Sequence, residues 1–125
     1  MSKDKFLYTK DHEWININDD IAHIGITDYA QSELGDIIFV ELPSVGDSFI
    51  KGDVFGTIEA VKTVADLFMP VSGSILELNN RIEDNPELVN TDAFDSGWIV
   101  KIKIENMDEC LELLNENDYL KIINE

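Results

Sequence analysis

Two short apolar segments on either side of one lysine constrain this chain more than any other feature. Residues 54–59 and 64–69 are rich in Val, Ile, Leu and Phe and have the length of β-strands. The simplest arrangement is a hairpin with residues 60–63 at its turn, although the turn lacks the Asn-Gly or Asp-Gly pair that marks hairpins most clearly. Lys62 stands at this turn, with no other basic residue within ten positions. The pattern predicts an amine on a flexible stem, held away from its own fold.

The charge of the chain bears on what this lysine can do. The chain has 26 acidic and 9 basic residues and a formal net charge of −17. Such a chain is a poor binder of nucleic acid or anionic membranes, because phosphate contacts need clustered Lys and Arg. It favours partners with basic docking surfaces, although the ordinary role of acidity is solubility. By spacing alone, a lone lysine at a turn is also most often only a solubilising charge.

Length and the termini predict a simple organisation. At 125 residues we expect one domain, residues 1–125, with residues 1–5 loose. No stretch has the character of a signal peptide, and no apolar run approaches the roughly 20 residues that span a bilayer. A single cysteine, Cys110, fits a reducing compartment. We therefore expect a soluble cytoplasmic protein, or a mitochondrial one if a eukaryotic presequence has been removed.

Further strands are predicted along most of the chain. Residues 14–18 and 21–26 alternate around an Asn-Asp-Asp turn, which indicates an antiparallel pair. Residues 37–42 form a continuous apolar strand, and residues 74–78 and 98–104 alternate again. The fold class is therefore mainly β, a strand-dominated barrel-sandwich with a few peripheral helices.

The helices are predicted from caps and apolar stripes. Thr27 or Asp28 is placed to cap a short helix through Leu34, and Gly35 is placed to end it. Residues 81–92 are irregular, with one helical turn. A C-terminal helix is predicted by an i, i+3, i+4, i+7 stripe that places Cys110 in the core and continues through residues 116–123; the stripe is Met107, Cys110, Leu111 and Leu114.

The chain carries no sequence sign of its own catalytic centre. There is no nucleophile–base pair, phosphate-binding loop, dinucleotide fingerprint or metal-ligand cluster. Two histidines and one cysteine, far apart in sequence, do not make a site. We therefore expect a protein that is not an enzyme and binds no metal.

Several motifs nevertheless resemble a known family. The run EAVKTVAD at residues 59–66, followed by PVSGSI, resembles the hairpin in which a lysine carries lipoic acid; biotin carriers place methionine on both sides of that lysine. The glycine cleavage system H-protein family is similar over residues 8–119 in further motifs: HEW at 12–14, GITDYAQ at 25–31, LGD at 34–36, FVELP at 39–43, PELVN at 86–90 and GW at 97–98.

The resemblance implies a cofactor and partners. It implies lipoic acid in amide linkage to Lys62 and a lipoyl-domain-like barrel-sandwich fold. It implies a carrier that shuttles the aminomethyl group of glycine from a pyridoxal-phosphate glycine decarboxylase to a tetrahydrofolate-dependent aminomethyltransferase. A dihydrolipoamide dehydrogenase with FAD and NAD then reoxidises the carrier, and a lipoylating enzyme attaches the cofactor.

The resemblance also implies site residues. Asp11, Glu13 and Asp66 match positions that hold the aminomethyl nitrogen, although the family more often has Ser or Thr in place of Asp11. Three further residues match positions on which lipoylating enzymes depend: Glu59, Gly46 and Gly73. Both glycines also have an ordinary role in turns.

Three alternatives remain open from the sequence. The same fold and lysine serve a lipoyl-relay protein that donates lipoate to 2-oxoacid dehydrogenase subunits. An unmodified interaction protein would keep the fold without the cofactor, against which the retention of Lys62 speaks. A free-standing hydrolase with paired carboxylates is the weakest alternative, because the sequence shows no polar constellation for it.

Overall fold

The computed structural model describes residues 6–124 and is mainly β, as predicted. These residues form strands β1 (Phe6–Tyr8), β2 (Glu13–Asn18), β3 (Ile21–Ile26), β4 (Ile37–Glu41), β5 (Ser48–Phe49), β6 (Val54–Ala60), β7 (Val64–Phe68), β8 (Gly73–Leu78) and β9 (Val100–Ile104). The helices are α1 (Asp28–Leu34), α2 (Arg81–Asp84), α3 (Leu88–Thr91) and α4 (Glu116–Ile123), with a 3₁₀ helix over Met107–Glu112. Residues 1–5, which were expected to be loose, lie outside the described residues.

Two antiparallel sheets share one apolar core. The larger sheet has the strand order β1-β2-β3-β9-β8-β5, and the smaller has the order β4-β6-β7. Both sheets bury aliphatic side chains in the same cluster, for example Ile24 and Ile102 from the larger sheet and Ile58 and Leu67 from the smaller. None of the helices formed by residues 6–124 is long and apolar enough to span a membrane.

The hairpin predicted around Lys62 is present as β6 and β7. The two strands pair in register up to Glu59 and Val64, and the Ala60 N–H donates to the Thr63 carbonyl (N to O 2.8 Å) across the turn. Among residues 6–124, strand β7 pairs only with β6, so its other edge is free beside the turn. The hairpin therefore holds Lys62 at the end of a short, paired ribbon.

Local signals placed the first hairpin and the first helix correctly. Strands β2 and β3 pair antiparallel, and Asp19 has the positive φ, 59°, that their tight turn requires. Helix α1 is capped by Thr27, whose hydroxyl accepts from the Ala30 N–H at 3.2 Å. Gly35, with φ 81°, ends the helix as predicted. The polar region after β8 differs from the prediction of a single helical turn, because it forms two short helices, α2 and α3.

The predicted C-terminal stripe was wrong in part. The chain forms a 3₁₀ helix there, and Leu111 is 85% exposed. The reason is long-range pairing: Leu114 exchanges two backbone hydrogen bonds of 2.8 Å with Tyr8, which ends the helix before the stripe can be completed. Cys110 is only partly buried but does pack against the core. Helix α4 follows and buries Tyr119.

Candidate functional site

Lys62 is exposed on a turn that is anchored next to the neighbouring strand. The Val61 N–H donates to the Asp36 carbonyl at the start of β4 (N to O 3.0 Å), in addition to the hydrogen bond from Ala60 across the turn. Lys62 itself is exposed. The anchored backbone fixes the position of the tip, while the side chain keeps its freedom.

A cleft of about 200 Å³ runs between the free edge of β7 and helix α1. The hairpin contributes one wall through Ile58, Ala65, Asp66 and Leu67, and the segment before β2 contributes the floor. The opposite wall comes from α1: Tyr29, Ala30, Glu33 and Leu34. Asp66 is four residues from Lys62, so their Cα atoms are at most about 14 Å apart along the chain. The cleft therefore lies within reach of a long group carried by the lysine.

The cleft contains all three carboxylates that the sequence singled out for the aminomethyl nitrogen. Asp11, Glu13 and Asp66 line it together, although they come from two distant parts of the chain. Asp11 and Asp66 are exposed at its margin, whereas Glu13 is 2% exposed. The arrangement presents negative charge at the margin and a buried carboxyl inside.

Glu13 occupies an unusual environment for a carboxyl group. Its Oε2 accepts from the Phe68 N–H on the free edge of β7 (2.7 Å), while its buried Oε1 has no hydrogen-bond partner among residues 6–124. The pKa of Glu13 is raised from 4.5 to about 8, mainly by burial and also by the charge of Asp11, against the opposing effects of the Phe68 amide and the Thr9 hydroxyl. An unsatisfied buried oxygen is costly unless a donor can reach it. Glu13 is thus ready to accept a hydrogen bond from a cationic ligand.

Sequence reasoning missed the contribution of α1 and of His12. Tyr29 and Glu33 are four residues apart on α1, so they share one face of the helix, and both line the cleft. Their spacing was visible in the sequence, but nothing local showed which side of the sheet α1 would cover. His12 also lines the cleft and packs its ring against Tyr29 at 4.8 Å between centroids.

A hydrogen-bonded group fixes His12 to the C-terminal helix. The Tyr119 hydroxyl lies 2.9 Å from His12 Nδ1 and 2.7 Å from the hydroxyl of Thr27, the residue that caps α1. The His12 carbonyl accepts from the Thr27 N–H at 3.0 Å. These bonds connect α4, α1 and the floor of the cleft, so the C-terminal helix supports the shape of the site.

A larger cavity, of about 400 Å³, lies behind this group and away from the hairpin. It is lined mainly by aromatic and aliphatic residues of β1 and α4, including Phe6, Tyr8 and Leu120. No residue of β6, β7 or the Lys62 turn lines it. Its size does not make it the site, because the three carboxylates line the smaller cleft, and one wall of that cleft is the hairpin that bears Lys62.

The three residues matched to lipoylation occupy different places. Glu59 is exposed on β6, one pair from the turn. Gly46 lies in a turn with φ 94°, so its expected turn role is confirmed. The expectation of a turn role was wrong for Gly73, which is the buried first residue of β8. A Cβ there would lie 2.5 Å from the Lys103 carbonyl oxygen, so Gly73 permits the close approach of β8 and β9.

Together, the fold and the exposed lysine on a protruding hairpin define a carrier domain of the lipoyl type, with a barrel-sandwich architecture. The structure superposes on the crystal structure of a glycine cleavage system H protein from Mycobacterium marinum with a TM-score of 0.89 and 36% identity, covering 97% of this chain and 98% of that one. The chain belongs to the glycine cleavage H-protein family, whose model matches residues 6–125.

Similar proteins from bacteria support this assignment to the family. A glycine cleavage system H protein from Bacteroides thetaiotaomicron is 50% identical over 117 residues, which cover 94% of this chain and 93% of that protein. One from Staphylococcus epidermidis is 49% identical over 121 residues, covering 97% and 96%. The family is the lipoyl carrier of the glycine cleavage system and is a carrier subunit rather than an enzyme.

Proposed function

We propose that Lys62 is the lipoyl attachment site and that the cleft beside the hairpin holds the loaded end of the arm. The carrier then takes the aminomethyl group of glycine from the pyridoxal-phosphate decarboxylase to the tetrahydrofolate-dependent aminomethyltransferase. Dihydrolipoamide dehydrogenase then reoxidises the carrier with FAD and NAD. A lipoylating enzyme attaches the lipoyl group to the carrier beforehand. With relatives in bacteria, we place this cycle in the cytoplasm.

One observation carries the proposal: Asp11, Glu13 and Asp66 meet in one cleft whose wall is the hairpin that bears Lys62. The residues fit a lipoyl arm with a cationic amine at its end. Apolar side chains such as Ile58 and Leu67 suit the hydrocarbon part of the arm, and the buried Glu13 Oε1 offers an unused acceptor to the amine. Bound at Lys62, lipoate would supply a redox-active disulfide that accepts the aminomethyl group.

The chain's own residues position and protect that group. Asp66 and Asp11 attract a cation to the mouth of the cleft, and Glu13 orients it inside. Helix α1 and the hairpin limit the access of water to the cleft, which protects a hydrolysable cargo. His12 keeps the wall in place through its hydrogen bond to Tyr119 and its ring contact with Tyr29.

The attachment site is tested by intact and peptide mass spectrometry of protein purified from its own host. The expected result is a lipoyl adduct on Lys62, absent from Lys62→Arg, because arginine keeps the charge but offers no acylable amine. Lys51→Arg, on the loop before β6, is the matched control and should carry the adduct. An unmodified Lys62, in cells whose other lipoyl proteins are fully modified, would refute the carrier function.

The cleft is tested on the same preparations after loading. Protein carrying the aminomethyl group is separated from its partners, and loss of the group is followed by intact mass. Glu13→Gln should lose it several-fold faster, because a bound cationic amine favours the ionised form of the Glu13 carboxyl and pairs with it, whereas an amide cannot ionise. The exposed Glu105→Gln should behave like the wild type. Equal rates in both variants would remove Glu13 from the proposed arm site.

A further inference from the structure

The outward side of the smaller sheet exposes apolar residues next to the Lys62 turn. In β4, Ile38 and Phe39 follow each other and both are 51% exposed. A regular strand would turn one of two consecutive residues inward. The register between β4 and β6 shifts at this point, between Ile37 and Phe39, and such an irregularity re-aims side chains. The fold therefore turns two apolar residues outward together.

The register of the sheet places further side chains beside Phe39. Phe39 lies opposite Glu59, and Glu59 lies opposite Val64, so all three project from the same side of the sheet. Val64 is 63% exposed. The next row on this side is Glu41, Thr57 and Asp66, which adds two carboxylates. Apolar side chains and negative charges thus alternate on one surface.

This surface is continuous with the turn. The hydrogen bond from the Val61 N–H to the Asp36 carbonyl holds the tip against the start of β4. Val61, which precedes Lys62, is 68% exposed. Scattered exposed apolar residues are normal, but a group of them on one face marks an interaction site. We name Ile38, Phe39, Val61 and Val64 around Glu59 the hairpin face.

We propose that the hairpin face is the docking surface for the enzyme that acylates Lys62, and that the entrance of that enzyme's active site presents apolar side chains flanked by basic ones. This inference rests on the proposed function. Of the three residues that the family resemblance connects with lipoylation, Glu59 lies on this face, and the inference adds the apolar residues and the chemistry of the partner.

Two observations favour an enzyme with a basic entrance over other occupants. The side chain of Lys62 has to enter the active site, so the enzyme must contact the residues around the turn, and these are the hairpin face. Glu41, Glu59 and Asp66 lie on this side, in a chain of net charge −17. A second copy of the chain would bring like charges together, which opposes association.

Phe39→Ala tests the inference in a transfer assay with the purified lipoylating enzyme of the host, in which lipoyl addition to Lys62 is followed by intact mass. We expect kcat/KM to fall about tenfold, because a buried aromatic anchor is a typical hot spot of an interface. Ile50→Ala and Leu111→Ala remove apolar residues outside the hairpin face that are even more exposed, at 66% and 85%, and should stay within about twofold of the wild type.

Two further measurements distinguish a loss of docking from a loss of folded structure in Phe39→Ala. The melting temperature of Phe39→Ala should match that of the controls, because Phe39 is half exposed, and Phe39→Leu should recover most of the transfer rate. If Phe39→Ala has the same kcat/KM as Ile50→Ala, the inference is overturned. If no lipoyl group is transferred to Lys62 of the wild type, the proposed function is overturned, and this inference with it. A concentration-dependent dimer that Phe39→Ala abolishes would assign the face to a second copy instead.

Discussion

Glu13 shows how one residue links the fold to the site. Its carboxyl group is almost without contact with water, and it caps the Phe68 N–H at the free edge of β7. That N–H would otherwise be unpaired in the cleft wall. The residue therefore stabilises the edge of the hairpin, while its second oxygen stays available for a ligand.

The raised pKa of Glu13 predicts a pH-dependent stability. Between 4.5 and about 8 the folded state holds a proton that the unfolded chain releases, so the stability from this group is complete below 4.5 and is lost as the pH rises towards 8. From pH 5 to pH 7 the wild type should lose on the order of 2–3 kcal/mol more unfolding free energy than Glu13→Gln, which has no such proton. Urea denaturation of both proteins at the two pH values measures this difference. If the unfolding free energies of the two proteins change with pH to the same extent, the pKa of Glu13 is not raised in the folded state.

At the scale of elements, the hairpin is held in place from two directions. The turn is fixed next to β4 by the hydrogen bond between the Val61 N–H and the Asp36 carbonyl. At the other end of the hairpin, two similar turns precede the start of β6. Each of these turns has a glycine with positive φ, Gly46 at 94° and Gly52 at 90°, followed by an aspartate. The carboxylates of Asp47 and Asp53 each accept from a backbone N–H three residues earlier, at 3.0 Å. The loops before the hairpin are therefore ordered by local bonds.

Alanine at the two glycines matched to lipoylation should act through the fold. Gly73→Ala should cost about 2 kcal/mol or more, because its Cβ would meet the Lys103 carbonyl oxygen at 2.5 Å and force β8 from β9. Gly46→Ala has open space and should cost only the strain of a positive φ, about 1 kcal/mol. Chemical denaturation measures both changes, with Ser74→Ala as the control on the same strand.

Lipoylation of the same variants decides how these glycines act. If they act through the fold, the extent of lipoylation at low temperature should recover in each variant in proportion to its folded fraction. A fully folded Gly46→Ala protein that is still not lipoylated would show that the lipoylating enzyme contacts Gly46 directly.

At the scale of the whole molecule, charge is the dominant property. A net charge of −17 attracts partners with basic surfaces at a distance, and dissolved salt screens this attraction. The hairpin face adds local carboxylates to the general field. The long-range attraction and the docking surface therefore both favour a partner with a basic surface.

The rate of lipoyl transfer to the protein should therefore fall with salt. We expect kcat/KM to decrease several-fold between 50 and 500 mM NaCl, and Glu41→Gln with Glu59→Gln to weaken this dependence. Activation of lipoate by the enzyme without the carrier, measured over the same range, controls for effects of salt on the enzyme itself. A flat salt profile for the wild type would exclude electrostatic steering.

The sequence by itself determined the features that depend on neighbours in the chain. Period-2 patterns and short apolar runs located most strands, including the two that flank Lys62, and capping residues located the limits of α1 at Thr27 and Gly35. These features are local because backbone conformation and capping act over a few residues. Family motifs identified the carboxylates, although no local pattern predicted that they would meet.

Only the tertiary structure decided what distant segments do to one another. The bond from Phe68 to Glu13 joins residues 55 positions apart, and pairing of Leu114 with Tyr8 stops the predicted C-terminal stripe. The exposure of Phe39 follows from a register shift against β6, and the need for Gly73 follows from its contact with β9. Such contacts arise from the packing of the two sheets, which no short stretch of sequence specifies. The cleft and the hairpin face are therefore properties of the folded molecule.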